Sequence, residues 1–216
     1  YALLGKNKRG PVGGVHCTFG VFWDYMSLPQ GADRSEAEYA RFKQGLATMA
    51  AFYVHPYTFV LSARTPIPDG DYENTRPYEK RGWCHFELRT ASIVKNDDNL
   101  WDLSLHKEGT AITFSECITT LRSTRPPLTS PEQMARELRE KKFTNDADIG
   151  VVASLYEQGF VRAFDTYQQQ GGGAMVWYYG LGWGTAQVPT LVAALEYAEA
   201  HCRPKDKEGK EDAKLG

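Results

Sequence analysis

The chain has 216 residues, 42% of them hydrophobic, with 10 Phe, 12 Tyr and 5 Trp. Against roughly 150 residues per domain this is one large domain or one domain with an appendage. Its apolar content suffices to bury roughly 70% of the unfolded surface and excludes a chain disordered throughout. With 25 basic against 27 acidic residues, a net charge of −2, no overall field draws it to nucleic acid or anionic lipid.

Residues 5–14 (GKNKRGPVGG) mix Gly, Pro and basic side chains and predict a loop, so residues 1–14 read as a mobile N-terminal segment. Thr18 to Asp24 (TFGVFWD) is short and apolar on both faces, the pattern of a covered strand. The loop Tyr25 to Asp33 follows, and Ser35 with Glu38 forms a capping box. The helix it opens presents Tyr39, Phe42, Leu46, Met49 and Tyr53 on one stripe and should stop near His55-Pro56. Thr58 to Leu61 is a second buried strand. The connection Ser62 to Arg81 exceeds the ~15 residues beyond which loops tend to be functional. Trp83 to Lys95 reads as a helix with Trp83, Phe86, Thr90, Ile93 and Val94 on one side.

Asn96 to Gly109 fits no single pattern, and Ala111 to Phe114 is a third strand candidate. A second capping box at Ser130, with Pro131 at N1 and Gln133 at N3, opens a charged helix to about Lys142. Helices are expected over 146–158 and 161–169, a break at Gly171 to Gly173, and a last strand over Met175 to Tyr179. Val188 to His201 predicts a final helix with Leu191, Leu195 and Ala198 inward, and the charged stretch 204–216 a disordered tail. The alternation predicts an α/β domain over 15–203, elaborated from about residue 96. Its central sheet should be mostly parallel with helices on both faces, and the strands at 18–24 and 58–61 adjacent and interior.

Cys17, Cys84, Cys117 and Cys202 are far apart and contain no C-x-x-C, so neither a zinc site nor a disulfide framework is expected. His16, His55, His85, His106 and His201 are scattered, which argues against a metal centre or a Ser-His-Asp triad. No stretch approaches the ~20 apolar residues of a membrane helix. These features predict a soluble, cytoplasmic protein with no membrane or nucleic-acid partner and no metal or other cofactor.

Ligands of open α/β sheets bind at the carboxyl ends of parallel strands. That rule selects Asp24, Ser27 and Gln30 after the first strand, and Ser62 and Arg64 after the second. Glu87 lies one turn inside the helix at Trp83 and on the same face. A carboxylate beside an indole is partly desolvated, which suits it to acid-base work or to stabilising a cationic transition state. Equally, Glu87 reads as a first-turn acid favoured by the helix dipole. Asp24 either pairs with Glu87 as a second carboxylate around a glycosidic bond or caps its own turn. Ser27 and Gln30 read as loop-forming or ligand-orienting.

Phe22-Trp23-Asp24, Ser27-Leu28-Pro29-Gln30 and Arg81-Gly82-Trp83-Cys84-His85-Phe86-Glu87-Leu88 together resemble the Toll/interleukin receptor (TIR) fold. Trp83, Cys84, Glu87 and Leu88 match the W-C-x-x-E-L helix of plant-type TIR domains, and the whole combination is similar to TIR-related proteins of microbial eukaryotes. The resemblance covers about residues 15 to 95. Further on, Phe143 to Asp148 (F-T-N-x-x-D) and Gly182-Trp183-Gly184 carry a general likeness. The TIR first strand, which supplies part of the nucleotide pocket, has no counterpart in residues 1–14.

The resemblance implies a TIR/flavodoxin-like sheet and a nucleotide or nucleoside ligand. Glu87, with Asp24, would be catalytic in cleaving the nicotinamide–ribose bond of NAD as substrate, and Trp83, Ser27, Gln30, Ser62 and Arg64 would bind it. It also implies that the loop 25–31 gates the pocket and mediates homo-oligomer formation. Two alternatives use the same residues: a non-catalytic signalling and self-assembly module, and a nucleoside-type glycosyl transferase with Glu87 as nucleophile.

Overall fold

The computed structural model describes residues 2–9, 15–29, 31, 33–55, 57–71, 75–95, 97–110, 113–169, 178 and 181–202. Its strands are β1 (Ala2–Arg9), β2 (Val15–Phe22), β3 (Phe59–Ser62) and β4 (Leu100–Asp102). Its helices are α1 (Asp24–Ser27), α2 (Glu36–Tyr53), α3 (Gly82–Ala91), α4 (Phe114–Thr120), α5 (Pro131–Arg139), α6 (Asp148–Gln169) and α7 (Val188–His201). The architecture is mixed α/β, around a sheet of order β2-β1-β3-β4.

The sheet departs from expectation in three ways. Residues 5–9, expected in a loop, belong to β1, which pairs with β2 from Ala2↔Phe22 to Arg9↔Val15; residues 1 and 10–14 lie outside the described residues. Gly and Lys are poor strand formers, but strand preference is set mainly by the partner, and β2 supplies one along the whole length. Second, β1 stands between β2 and β3 and is antiparallel to both, so β2 is an edge strand. The stretches at 18–24 and 58–61 therefore run in the same direction without being neighbours. Third, among the strands of the described residues only β3 and β4 pair in parallel, from Val60↔Leu100 to Ser62↔Asp102.

Local signals read well where side chain meets backbone. Ser35 Oγ accepts from the Glu38 amide at 3.3 Å and Glu38 Oε2 accepts from the Ser35 amide at 2.9 Å, the capping box that starts α2. Ser130 caps α5 in the same way, accepting from the Gln133 amide at 3.2 Å. The reciprocal half is missing there, because the Gln133 amide group donates to Glu137 at 3.2 Å.

Other boundaries moved. The loop after Asp24 opens with the single helical turn α1, and α3 stops at Ala91, leaving Ile93 and Val94 in the turn beyond it. The ambiguous stretch 96–109 holds β4, all three residues of which are buried. The strand candidate at 111–114 fails at Phe114, which begins α4 under a Thr113–Glu116 capping box; residues 111 and 112 lie outside the described residues. The helices expected at 146–158 and 161–169 are one continuous helix, α6. Leu195 was expected inward on α7 but is 43% exposed, the inward face being Ala194, Tyr197 and Ala198. Of the strand candidate Met175 to Tyr179 only Tyr178 is described, in no regular element, and the tail 204–216 and Gly171 to Gly173 lie outside the described residues.

The core gathers around α6. Phe160 meets the rings of Tyr156, Phe164 and Tyr197 at 6.2, 4.8 and 5.6 Å. Tyr156 is buried and its hydroxyl donates to the Thr129 carbonyl at 2.7 Å. Gly159 lets α6 approach closely: a β-carbon there would stand 3.4 Å from that of Ala50 and 3.5 Å from Thr90 Cγ2. Across the core Tyr53 meets the edge of Phe86 at 6.3 Å.

Lys95, also wholly buried, donates from Nζ to the His55 and Thr58 carbonyls at 2.7 Å and to Thr58 Oγ1 at 2.6 Å. It ties the segment after α3 to the turn between α2 and β3. Burial pulls its ammonium down to about 7, while the three oxygens favour the charged form. Among the described residues no helix is long and apolar enough to cross a membrane.

Candidate functional site

The parallel pair β3–β4 ends at Ser62 and Asp102, and polar side chains collect beyond those ends. Ser62 is buried and donates from Oγ to the Trp101 carbonyl at 3.0 Å, so its hydroxyl joins the two strands. Arg64 donates from Nη2 to Ser123 Oγ at 2.7 Å, and its Nε lies 3.5 Å from Asp102 Oδ2. Asp102 is held in turn, accepting from the Ser104 amide at 2.9 Å and hydroxyl at 2.5 Å. The Arg64 guanidinium carbon stands 5.9 Å from the centre of the Tyr78 ring.

Tyr78 begins the 3-10 turn Tyr78–Lys80 that leads into α3. Burial first, and then the Glu87 carboxylate, push its phenol well above its ordinary value, with Arg64 acting the other way. Glu87 is half-buried on α3. Ser62 and Arg64 are therefore gathered here with three residues not selected from the sequence, Tyr78, Asp102 and Ser123, and the Glu87 charge acts on Tyr78 from α3. The Asp102 carboxylate stands against the Arg64 guanidinium beside the Tyr78 ring, so the strand ends offer both an anion and a cation to a polar ligand.

The start of α3 is clamped from behind. The amide of Gly82 donates to the Lys142 carbonyl and that of Lys142 to the Lys80 carbonyl, both at 3.0 Å. Trp83 donates from Nε1 to Asp148 Oδ2 at 3.1 Å and meets the Phe86 ring edge-on at 6.0 Å. Phe143, at the head of the F-T-N-x-x-D stretch, covers Gly82 so closely that a β-carbon there would fall 2.0 Å from its ring. Gly82→Ala is expected to lose roughly 1–3 kcal/mol by overpacking, read as a lower urea midpoint, and Phe143→Leu in the same chain should recover part of it. An unchanged midpoint would mean that Phe143 moves aside at no cost.

On another face of α3, His85 Nε2 lies 2.8 Å from Glu137 Oε2, and Arg89 Nη2 is 2.9 Å from the same oxygen. Burial lowers the His85 value; burial opposes ionisation of Glu137, but His85, Arg89 and Gln133 together hold its carboxyl below the ordinary value. Both groups are depressed in the fold, so the stability they contribute is present above their unfolded values and lost as pH falls. The urea midpoint should therefore drop between pH 7 and pH 5, and less so in His85→Asn; equal slopes would remove this pair from the acid response.

The loop after β2 forms a separate feature. Ser27 Oγ accepts from the Trp23 amide at 2.9 Å and closes the α1 turn. Ser27 also lines a cleft of about 670 Å3 against α2, with Phe22, Met26, Leu28, Pro29, Arg41 and Phe52 among its walls. Trp83, Arg64 and Glu87 are not among them. Asp24 is the first residue of α1; its side chain and the whole of Gln30 lie outside the described residues.

Among the described residues no three His, Cys, Asp or Glu side chains are grouped as metal ligands. Asp102 was missed because β4 is too short for its pattern to show between polar flanks; once β4 is seen, the strand-end rule selects Asp102 at once. Tyr78 sits in the long connection whose length alone marked it as functional. Comparison with protein-family models, with curated proteins and with solved structures returns no match.

Proposed function

We propose that this chain is a TIR-like nucleotide-binding domain that cleaves the N-glycosidic bond of NAD or a related nucleotide. The observation that carries the reading is the gathering of Arg64, Tyr78 and Asp102 at the ends of the parallel strands β3 and β4, with the Glu87 carboxylate on α3 raising the Tyr78 phenol. In the reaction the bond from ribose C1′ to the pyridinium nitrogen breaks and both electrons leave with nicotinamide, which departs neutral. The Glu87 carboxylate stabilises the oxocarbenium-like centre at C1′; water then adds there and releases its proton to solvent, giving ADP-ribose. Arg64 and Tyr78 orient the ligand.

Incubating the full chain with NAD and measuring free nicotinamide tests this. Turnover is expected, rising with protein concentration if assembly completes the site. No nicotinamide at any concentration would overturn it.

The second reading is a self-assembly module acting through the loop 25–31. It is favoured by Trp23 and Met26, 47% and 72% exposed beside the α2 cleft. Met26→Asp should then abolish oligomers seen by light scattering, and a wild type that stays monomeric at high concentration would dismiss it.

A further inference from the structure

We propose that the outer edge of β2 is an interface for a second copy of this chain, the two β2 strands pairing antiparallel about a two-fold axis perpendicular to the sheet. The two sheets then join into one through their β2 edges. The inference stands apart from the glycosidic reading.

The sheet protects one of its edges and not the other. At the β4 edge the strand is three residues long and the segment after α4 closes it: the Asp102 amide donates to the Leu121 carbonyl at 2.7 Å and the Ser123 amide to the Leu100 carbonyl at 2.9 Å. β2 is eight residues long, and among the described residues no strand lies on its outer side. Its register with β1 runs without a bulge, and its sequence, VHCTFGVF, holds no Lys, Arg, Asp, Glu or Pro. Shortness, bulges, charge and proline are the devices that keep a solvent-facing edge from pairing, so β2 has the make-up of a strand paired on both sides.

The hairpin also outruns the rest of the sheet. β1 meets β3 only at Ala2 and Leu3, so among the described residues 4–9 and 15–20 form a two-stranded ribbon. Such a ribbon is marginal in water until a third strand joins it. Charge decides which of its edges takes that strand. β1 carries Lys6, Lys8 and Arg9, and pairing it with its own copy would set lysine against lysine, whereas β2 against its own copy opposes no like charges. The overlap of the two β2 strands is longest with the axis at Thr18 or Phe19. There the outward amides and carbonyls of each copy meet those of the other, and the assembly closes at two chains.

The test is sedimentation equilibrium of the full chain, with amide hydrogen exchange along β2 read by NMR. A dimer is expected. Alternate β2 amides face β1 and the others face outward; the outward set should be protected in the dimer and exchange freely in the monomer. Thr18→Lys should weaken the dimer about tenfold by setting like charges across the axis, and mixing it with Thr18→Glu should restore a heterodimer. If Thr18→Lys does not fold, exchange in the wild type decides alone.

A wild type that stays monomeric at the highest concentration reached would overturn the proposal. So would a dimer whose outward β2 amides exchange freely, and so would outward amides protected in a monomer, which would mean that another segment of chain covers the edge. Loss of the dimer in Met26→Asp with Thr18→Lys unaffected would assign assembly to the loop 25–31 instead.

Discussion

Replacing Glu87 by Gln should slow nicotinamide release from NAD on the order of 100-fold or more while leaving ligand affinity nearly unchanged. Gln is almost isosteric, so the half-buried position on α3 is refilled, and what disappears is the charge. Stabilisation of an oxocarbenium-like centre is worth most where positive charge develops, so kcat carries the loss and KM does not. Asp24→Asn should cost less if Asp24 only orients a ribose hydroxyl, and comparably if the two carboxylates act as a pair. Rates are to be compared at matched thermal stability, because α3 also carries the buried Phe86 and the clamp to Phe143. Equal turnover by wild type and Glu87→Gln would place the chemistry elsewhere and sink the one residue on which the TIR comparison depends.

Lys95→Met should destabilise the fold by about 2–4 kcal/mol at pH 9, and by less at pH 6. Met keeps the apolar stem, so the change isolates the nitrogen. Without it the Thr58 carbonyl loses a buried donor, the His55 carbonyl keeps only Thr58 as donor, and Thr58 Oγ1 keeps only its own donation, toward the Phe52 carbonyl at 2.6 Å or the His55 carbonyl at 3.0 Å. The pH dependence follows from the folded value of about 7 against the ordinary 10.5. Between these limits the unfolded chain holds a proton that folded Lys95 has released. The contribution therefore rises with pH through the window, is complete above it, and is lost as pH falls through 7. Unfolding free energies of both chains at pH 6 and 9 decide the matter: the same difference at both would mean that Lys95 stays charged in the fold.

Much of the local structure was legible in the amino-acid order because its causes are local. The Ser35–Glu38 box and the Ser130 cap with Pro131 behind it depend on residues within a turn of each other, and each lies where the pattern put it, whereas the α2 stripe is buried at Met49 and Tyr53 but leaves Tyr39 48% exposed. The strand-end rule likewise selected Ser62 and Arg64, which lie with Asp102 beyond the parallel pair. What could not be read were pairings between distant segments. Residues 5–9 look like a loop until β2 lies beside them, and β4 is only three residues long, so its identity depends on β3. Asp102 and Tyr78 joined the site for the same reason.

The amino-acid sequence by itself determined the helix starts, the apolar stretches that must be buried, the balanced charge and the motif centred on Trp83 and Glu87. Only the tertiary structure decided the strand order, the turning of the Trp83 indole toward Asp148, and which polar groups hold Arg64. The division is physical. Caps and amphipathic stripes gain their free energy within one segment, whereas sheet order and site assembly are settled by contacts across dozens of residues, such as Arg64 with Ser123 and Ser62 with Trp101, whose partners nothing in either segment alone specifies.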